Sequence, residues 1–191
     1  MALTRTEIIN TLIKKHGYKS YLEIGVNTPA QPGYNWGGVE CEYKAGVDPN
    51  VYTTHKMTSD EFFEKNRESV FKRTYDFIFI DGLHLYEQVY KDVINALEIL
   101  NDGGTIMLHD CNPTSEITQR RVRASDAWHG DVWKAFVRLR IERDDLEMYT
   151  IDADEGCGII QRGKSNPYDV LCFNRKNILN LVHPDLWKSQ Q

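Results

Sequence analysis

The chain has 191 residues, 41% of them hydrophobic and 27% charged, and a net charge of −5. That length suits one domain that buries roughly 70% of its unfolded surface and needs neither a disulfide nor a metal merely to fold. The acidic balance argues against nucleic acid or an anionic membrane as partner, and no apolar run approaches the ~18 residues that span a bilayer.

The four cysteines, Cys41, Cys111, Cys157 and Cys172, make no C-x-x-C pair. Neither a zinc ribbon nor a dithiol redox motif is supported, and reduced thiols are expected. The amphipathic, charged N-terminal stretch lacks the uninterrupted apolar core of a signal peptide, so a cytoplasmic location is expected. Basic residues concentrate only at Arg120, Arg121, Arg123, Lys134, Arg138 and Arg140. They read as a solvated face, with an anionic substrate edge as the alternative.

In chain order, Thr4 and Glu7 have capping-box spacing, and Ile8, Ile9, Leu12 and Ile13 follow at helical intervals, predicting a helix over 4–16. Residues 18–26 suit a first central strand with Glu23 and Gly25 at its end. Residues 27–38 are rich in turn formers, and 44–48 read as a short strand closed by Pro49. Residues 53–57 suggest a weak third strand. Thr58 then reads as an N-cap for a helix reaching about residue 71, with Asp60 and Glu61 favoured in the first turn.

Residues 75–113 organise the rest. Phe77 to Ile80 form a continuous apolar run that suits a strand buried on both faces and stops at Asp81. Tyr86, Val89, Val93, Ala96, Leu97 and Leu100 recur at helical spacing. Residues 101–104 stop that helix, and 105–108 form another buried strand ending in His109 and Asp110. Strand, helix and parallel strand thus bring Asp81, His84, His109 and Asp110 to one sheet edge, where ligands bind in open α/β folds.

Beyond Pro113, residues 114–129 read as a polar loop over the strand ends. A helix follows from about residue 130, then a hairpin-like pair at 146–151 and 158–161. The tail at 164–191 is expected to pack back as a short helix around Trp187. The fold class expected is α/β: a doubly wound, mostly parallel, Rossmann-like sheet with an antiparallel C-terminal hairpin. One domain is expected over 1–191, with its core at about 18–163.

Acidic residues after the first two strands have a use in binding a nucleotide-like cofactor. Asp48 is positioned to accept ribose hydroxyls, and Gly25 allows close backbone approach. No G-x-G-x-x-G follows the first strand, which disfavours a dinucleotide. A carboxylate before the glycine suits a cofactor with a cationic amino-acid portion.

YLEIGV, GVDP, the whole 75–113 stretch, HGDVWKAF and DEGCGII together resemble the class I S-adenosylmethionine-dependent methyltransferases, in particular methyltransferase family 24. The resemblance covers roughly residues 18–163. It implies that Glu23 and Gly25 sit by the methionine portion of S-adenosylmethionine, that Asp48 holds the ribose, and that Ser59 or Asp60 lies near the adenine. It also implies a divalent cation, magnesium being the best candidate, on Asp81 and Asp110, with Asn112, His109 or water completing the set. Asp81 would thereby border the cofactor as well, and His84 would be the general base. Cys111 stands where metal-dependent relatives often carry an amide, and residues 26–32 lack the close glycines of many cofactor loops.

The expected activity is methyl transfer to the oxygen of a small hydroxylated acceptor, such as a sugar or glycoside; homo-oligomerisation stays open. Other readings are a metal-dependent hydrolase built on the Asp/His cluster and a cofactor-binding module without turnover. Structural roles also compete at single positions. Asp81 and Asp110 could cap turns, His84 could be satisfied by backbone, His109 could support rather than ligate, and Trp128, Trp133 and Phe136 could be packing residues.

Overall fold

The computed structural model describes residues 3–27, 35–68 and 73–164. The tail beyond residue 164, with its expected short helix, lies outside the described residues. In chain order the elements are α1 (Arg5–His16), β1 (Ser20–Ile24), α2 (Asn35–Gly38), β2 (Tyr43–Val47), α3 (Ser59–Arg67), β3 (Tyr75–Ile80), α4 (Tyr86–Ile99), β4 (Leu100–Leu108), α5 (Val132–Glu142), β5 (Leu146–Ile151) and β6 (Cys157–Arg162).

The strands form one sheet in the order β2-β1-β3-β4-β6-β5. The pairs β1/β2, β1/β3 and β3/β4 are parallel, whereas β6 runs antiparallel to both β4 and β5. This is the expected doubly wound, mostly parallel sheet with an antiparallel hairpin. Its parallel strands are apolar on both sides because helices cover both faces. Side chains alternate accordingly. Tyr21, Phe77, Phe79 and Met107 pack with Ile8, Ile9 and Ile13 of α1. Leu22, Ile78, Ile80, Ile106 and Leu108 pack on the other face with residues of α3, α4 and α5.

Local signals set the helix starts. Thr4 and Glu7 form a complete capping box before α1, which ends at Gly17 in the left-handed region, and Thr58 and Glu61 form another before α3. The expected weak strand at 53–57 reduces to a single bridge between Val47 and His55. That segment carries Asp48 contacts rather than a ladder. α4 ends at Ile99, just before the expected stop at 101–104, and passes into β4 without a loop; β4 starts at Leu100 rather than at the expected 105, so residues 101–104 lie inside it, where the register with β3 shifts between Tyr75 and Phe77. A β-irregularity absorbs the two glycines there. Among the described residues no helix is long and apolar enough to cross a membrane.

Candidate active site

The strand order reverses between β1 and β3, so the crevice at the topological switch point opens beside the carboxyl ends of these two strands. The ends meet closely. The Asp81 amide donates to the Ile24 carbonyl at 2.9 Å, and the Gly25 amide donates to Val47 at 2.9 Å. Gly25 has φ +88°, and a Cβ there would stand 2.2 Å from the Asp81 carbonyl oxygen. Only glycine satisfies both constraints.

Asp81, His84 and Asp110 each offer a donor atom, all within 4.8 Å of one another. His84 bridges the two acids, with Nε2 3.3 Å from Asp81 Oδ1 and Nδ1 3.1 Å from Asp110 Oδ2. Its Nδ1–H also donates to the Trp128 carbonyl at 2.7 Å. A carbonyl can only accept, so Nδ1 carries the proton and Nε2 is the exchangeable nitrogen. Asp110 adopts φ +59°, a left-handed conformation that an aspartate tolerates better than most residues. That twist ends β4 and directs the carboxylate between His84 and His109, whose Nδ1 lies 3.0 Å from Asp110 Oδ1.

The electrostatics are tightly balanced. Burial works against ionisation of Asp81, but hydrogen bonds from His109 and His84 outweigh it and hold the acid well below the usual carboxylate range. Burial likewise disfavours a charged His109, yet its bonds to Asp110, Asp154 and Asp81 push it up to about 12. His84 is raised as well: against the burial cost stand its hydrogen bond to Asp81 and the charges of Asp81 and Asp110. His109 therefore supports both acids from behind.

Several residues join this centre with little signal in their local sequence. Arg5, at the start of α1, donates from Nη1 to Asp81 Oδ2 at 2.9 Å, and from its backbone N and Nε to Asp154 Oδ2 at 2.6 and 3.2 Å. Asp154, in the β5–β6 turn, also contacts His109 Nε2 at 3.3 Å. His129 is buried, with Nε2 3.3 Å from Glu155 and 3.9 Å from Asp110, while its Nδ1 has no partner among the described residues. Trp128 stacks on His84 with ring centroids 5.3 Å apart. Asp131 accepts from the Tyr86 amide at 2.7 Å and so caps α4 from 45 positions away, where Leu85 provides no side-chain cap. The signals for these residues were faint: DEG for the turn acid, and HGD before a helix for the loop that returns to the edge.

The other half of the edge holds the expected cofactor residues. Glu23 is 2% exposed and accepts from Tyr21 Oη at 2.7 Å and from Asn35 Nδ2 at 3.3 Å. Burial pushes it up to about 8 despite those bonds. Asp48 accepts the Asn27 amide on Oδ2 at 3.0 Å and the Asn50 and Val51 amides on Oδ1 at 2.8 and 3.3 Å. Among the described residues three of roughly four lone-pair sites are thus committed, which leaves room for one further donor. Ser59 and Asp60 both accept from Gln88, and Asp60 also pairs with Lys91 at 2.7 Å, so this pair ties α3 to α4. Asn112 donates to Asp152 at 2.8 Å, drawing its side chain toward the β5–β6 turn. Of the basic cluster, Arg121 pairs with Glu87 and Asp131, and Arg138 with Glu142.

A family profile described as a methyltransferase domain matches residues 10–111, more than half of the chain. The chain belongs to methyltransferase family 24. It is a class I S-adenosylmethionine-dependent methyltransferase. Solved structures share its fold at low sequence identity. The O-methyltransferase from Bacillus cereus in complex with SAH is 12% identical over 85% of this chain and 82% of its own, with a TM-score of 0.58. The SAH-bound methyltransferase PaMTH1 from Podospora anserina is 16% identical over 84% and 78%, with a TM-score of 0.56. MycE from the mycinamycin biosynthetic pathway, in complex with Mg, SAH and mycinamycin VI, is 11% identical over 87% of this chain and 50% of its own, with a TM-score of 0.54. No curated protein sequence matches the chain.

Proposed function

We propose that this methyltransferase, working as one domain over residues 1–191, methylates a hydroxyl oxygen of a small acceptor such as a sugar or glycoside, with a divalent cation held by Asp81 and Asp110. The observation that carries the reading is His84 bridging those two acids, with its Nε2 turned away from the Trp128 carbonyl. The donor set suits magnesium, which takes hard oxygen ligands and usually only one or two carboxylates beside water. Asn112 is the third candidate ligand, once released from Asp152. The structure of MycE with Mg and SAH supports the pairing of cation and cofactor on this fold.

In this reading Glu23 and Gly25 receive the methionine portion of the cofactor, Asp48 holds one ribose hydroxyl, and Ser59 and Asp60 border the adenine. Asp81 lies between the two halves. When bound, the cation supplies positive charge that polarises the acceptor hydroxyl. His84 Nε2 accepts the hydroxyl proton, while Nδ1–H stays fixed on the Trp128 carbonyl. Without the cation, Asp81 and Asp110 hold the imidazole toward its protonated form even with Arg5 and His109 beside them, so it acts as a base only when further positive charge offsets the two acids. The methyl group then passes in line from sulfur to oxygen, and positioning supplies much of the acceleration.

Calorimetric titration with S-adenosylhomocysteine, with and without magnesium, tests the cofactor half; no binding under either condition would overturn the reading. Turnover on hydroxylated acceptors with and without chelator tests the other half. Activity indifferent to chelator would remove the cation, and full activity of His84→Ala would remove the base.

A further inference from the structure

We propose that Arg5 is a positioning residue that competes with the divalent cation for Asp81, so that filling the cation site requires its guanidinium to leave Asp81 Oδ2. The proposal rests on the reading of Asp81 as a cation ligand. It starts from an asymmetry in what faces the three candidate donors. Among the described residues Asp110 is ion-paired only with imidazoles, those of His84, His109 and, more distantly, His129. Asp81 meets imidazoles on Oδ1 but a guanidinium on Oδ2, at 2.9 Å. Among the described residues Arg5 is the one arginine or lysine ion-paired with any of the three.

Both Asp81 oxygens are therefore covered by positive or proton-bearing groups. A cation that gains Asp81 must displace one of them, and the imidazoles are the harder to move. His109 is buried and held from the other side by Asp154, whereas the Arg5 side chain is 32% exposed. Release of the guanidinium need not disturb α1. The Arg5 backbone N keeps its own bond to Asp154, and the helix start is held by the Thr4 and Glu7 capping box. Only the side chain swings toward water, which still solvates its charge.

The arrangement has a use in the ion-free protein. Asp81, Asp110 and Asp154 crowd one edge, and Arg5 offsets their charge without waiting for an ion. The cost is a weaker cation site. A monovalent cation a few ångströms from a divalent one repels it, and removing that repulsion is expected to tighten binding by at least roughly tenfold.

The test titrates ion-free protein with Mn2+ alone, without cofactor or acceptor, and follows water-proton relaxation. Arg5→Gln is expected to bind Mn2+ at least roughly tenfold more tightly than the natural chain, and Arg5→Lys, which keeps the charge, to stay within about threefold. Unchanged or weaker binding by Arg5→Gln, with Asp81→Asn losing the ion, would overturn the competition alone. If Asp81→Asn binds as the natural chain does, or none of the proteins binds Mn2+, the cation reading fails and the proposal falls with it. Should Arg5→Gln not fold, the natural chain provides the answer through the 15N resonance of Arg5 Nε, identified by its loss in Arg5→Lys. That signal is expected to shift as Mg2+ is added, and an unmoved signal at saturation would refute the proposal.

Discussion

The ring of His84 lies against the indole of Trp128, 5.3 Å between centroids and 24° from parallel, while the carbonyl of the same tryptophan takes the His84 Nδ1 proton at 2.7 Å. One residue thus fixes both the plane and the tautomer of the candidate base. The indole is itself anchored, donating from Nε1 to the Arg120 carbonyl at 2.6 Å.

Trp128→Ala removes the stack and leaves a backbone carbonyl free to drift. An aromatic pair contributes about 0.5–1.5 kcal/mol beyond its buried area, so a fall in kcat of roughly two- to tenfold is expected. SAH affinity is expected to stay the same, because Trp128 stands beside His84, in the half proposed for the acceptor. Steady-state kinetics beside calorimetry separates the two effects; a loss confined to cofactor binding would count against this division of the edge.

Gly25→Ala is expected to be severe. The new methyl would stand 2.2 Å from the Asp81 carbonyl oxygen, at a φ of +88° that alanine rarely adopts. Stability should fall by well over about 1 kcal/mol, with loss of SAH binding as β1 and β3 part. Gly82→Ala is the control, since its Cβ would meet Ile24 Cγ2 at an ordinary 3.5 Å. Chemical denaturation of the two variants should rank them in that order.

The neutral Glu23 makes stability depend on pH and, in the proposed reading, cofactor binding as well. Its folded pKa is raised by burial from 4.5 to about 8, so the stability it contributes is fully present below about pH 4.5 and lost as pH rises through about 8. Melting temperature should therefore decline across that window in the natural chain and decline less in Glu23→Gln. If the charged form pairs with the amino group of the cofactor, SAH binding below pH 8 should release a proton. Calorimetry in buffers of different ionisation enthalpy detects this release, and its absence would separate Glu23 from the cofactor.

Asp131 should matter to stability out of proportion to its position. Its buried carboxylate caps the Tyr86 amide through Oδ1 and pairs with Arg121 through Oδ2 at 2.9 Å. Asp131→Ala leaves the Tyr86 amide unsatisfied while Arg121 keeps Glu87, and a cost of about 1–3 kcal/mol is expected. Because the same segment grips His84 through its carbonyl, activity should fall at temperatures where the fold still holds. A variant as stable as the natural chain in urea would refute the long-range cap.

Periodicity and capping are local properties, and they were enough to predict α1, α3, β1 to β3 and the hairpin, together with Asp81, His84 and Asp110 on one edge. The buried apolar strands could form only a sheet covered on both faces, so the fold class followed from the residues themselves. Local pattern misread residues 53–57 as a strand and started β4 at 105 instead of Leu100, because β propensity and paired glycines act differently once neighbouring strands set the register. It could not reveal Arg5, Asp154, His129 or Asp131 at the centre, because charges up to 149 positions apart meet only when the chain has closed. The tertiary structure therefore decided the state of the edge, with Asp81 deprotonated and shared, His109 pushed up to about 12, and an arginine from the first helix on Asp81. The physical reason is that burial and Coulomb interactions act through space, while hydrophobic period and capping act along the chain.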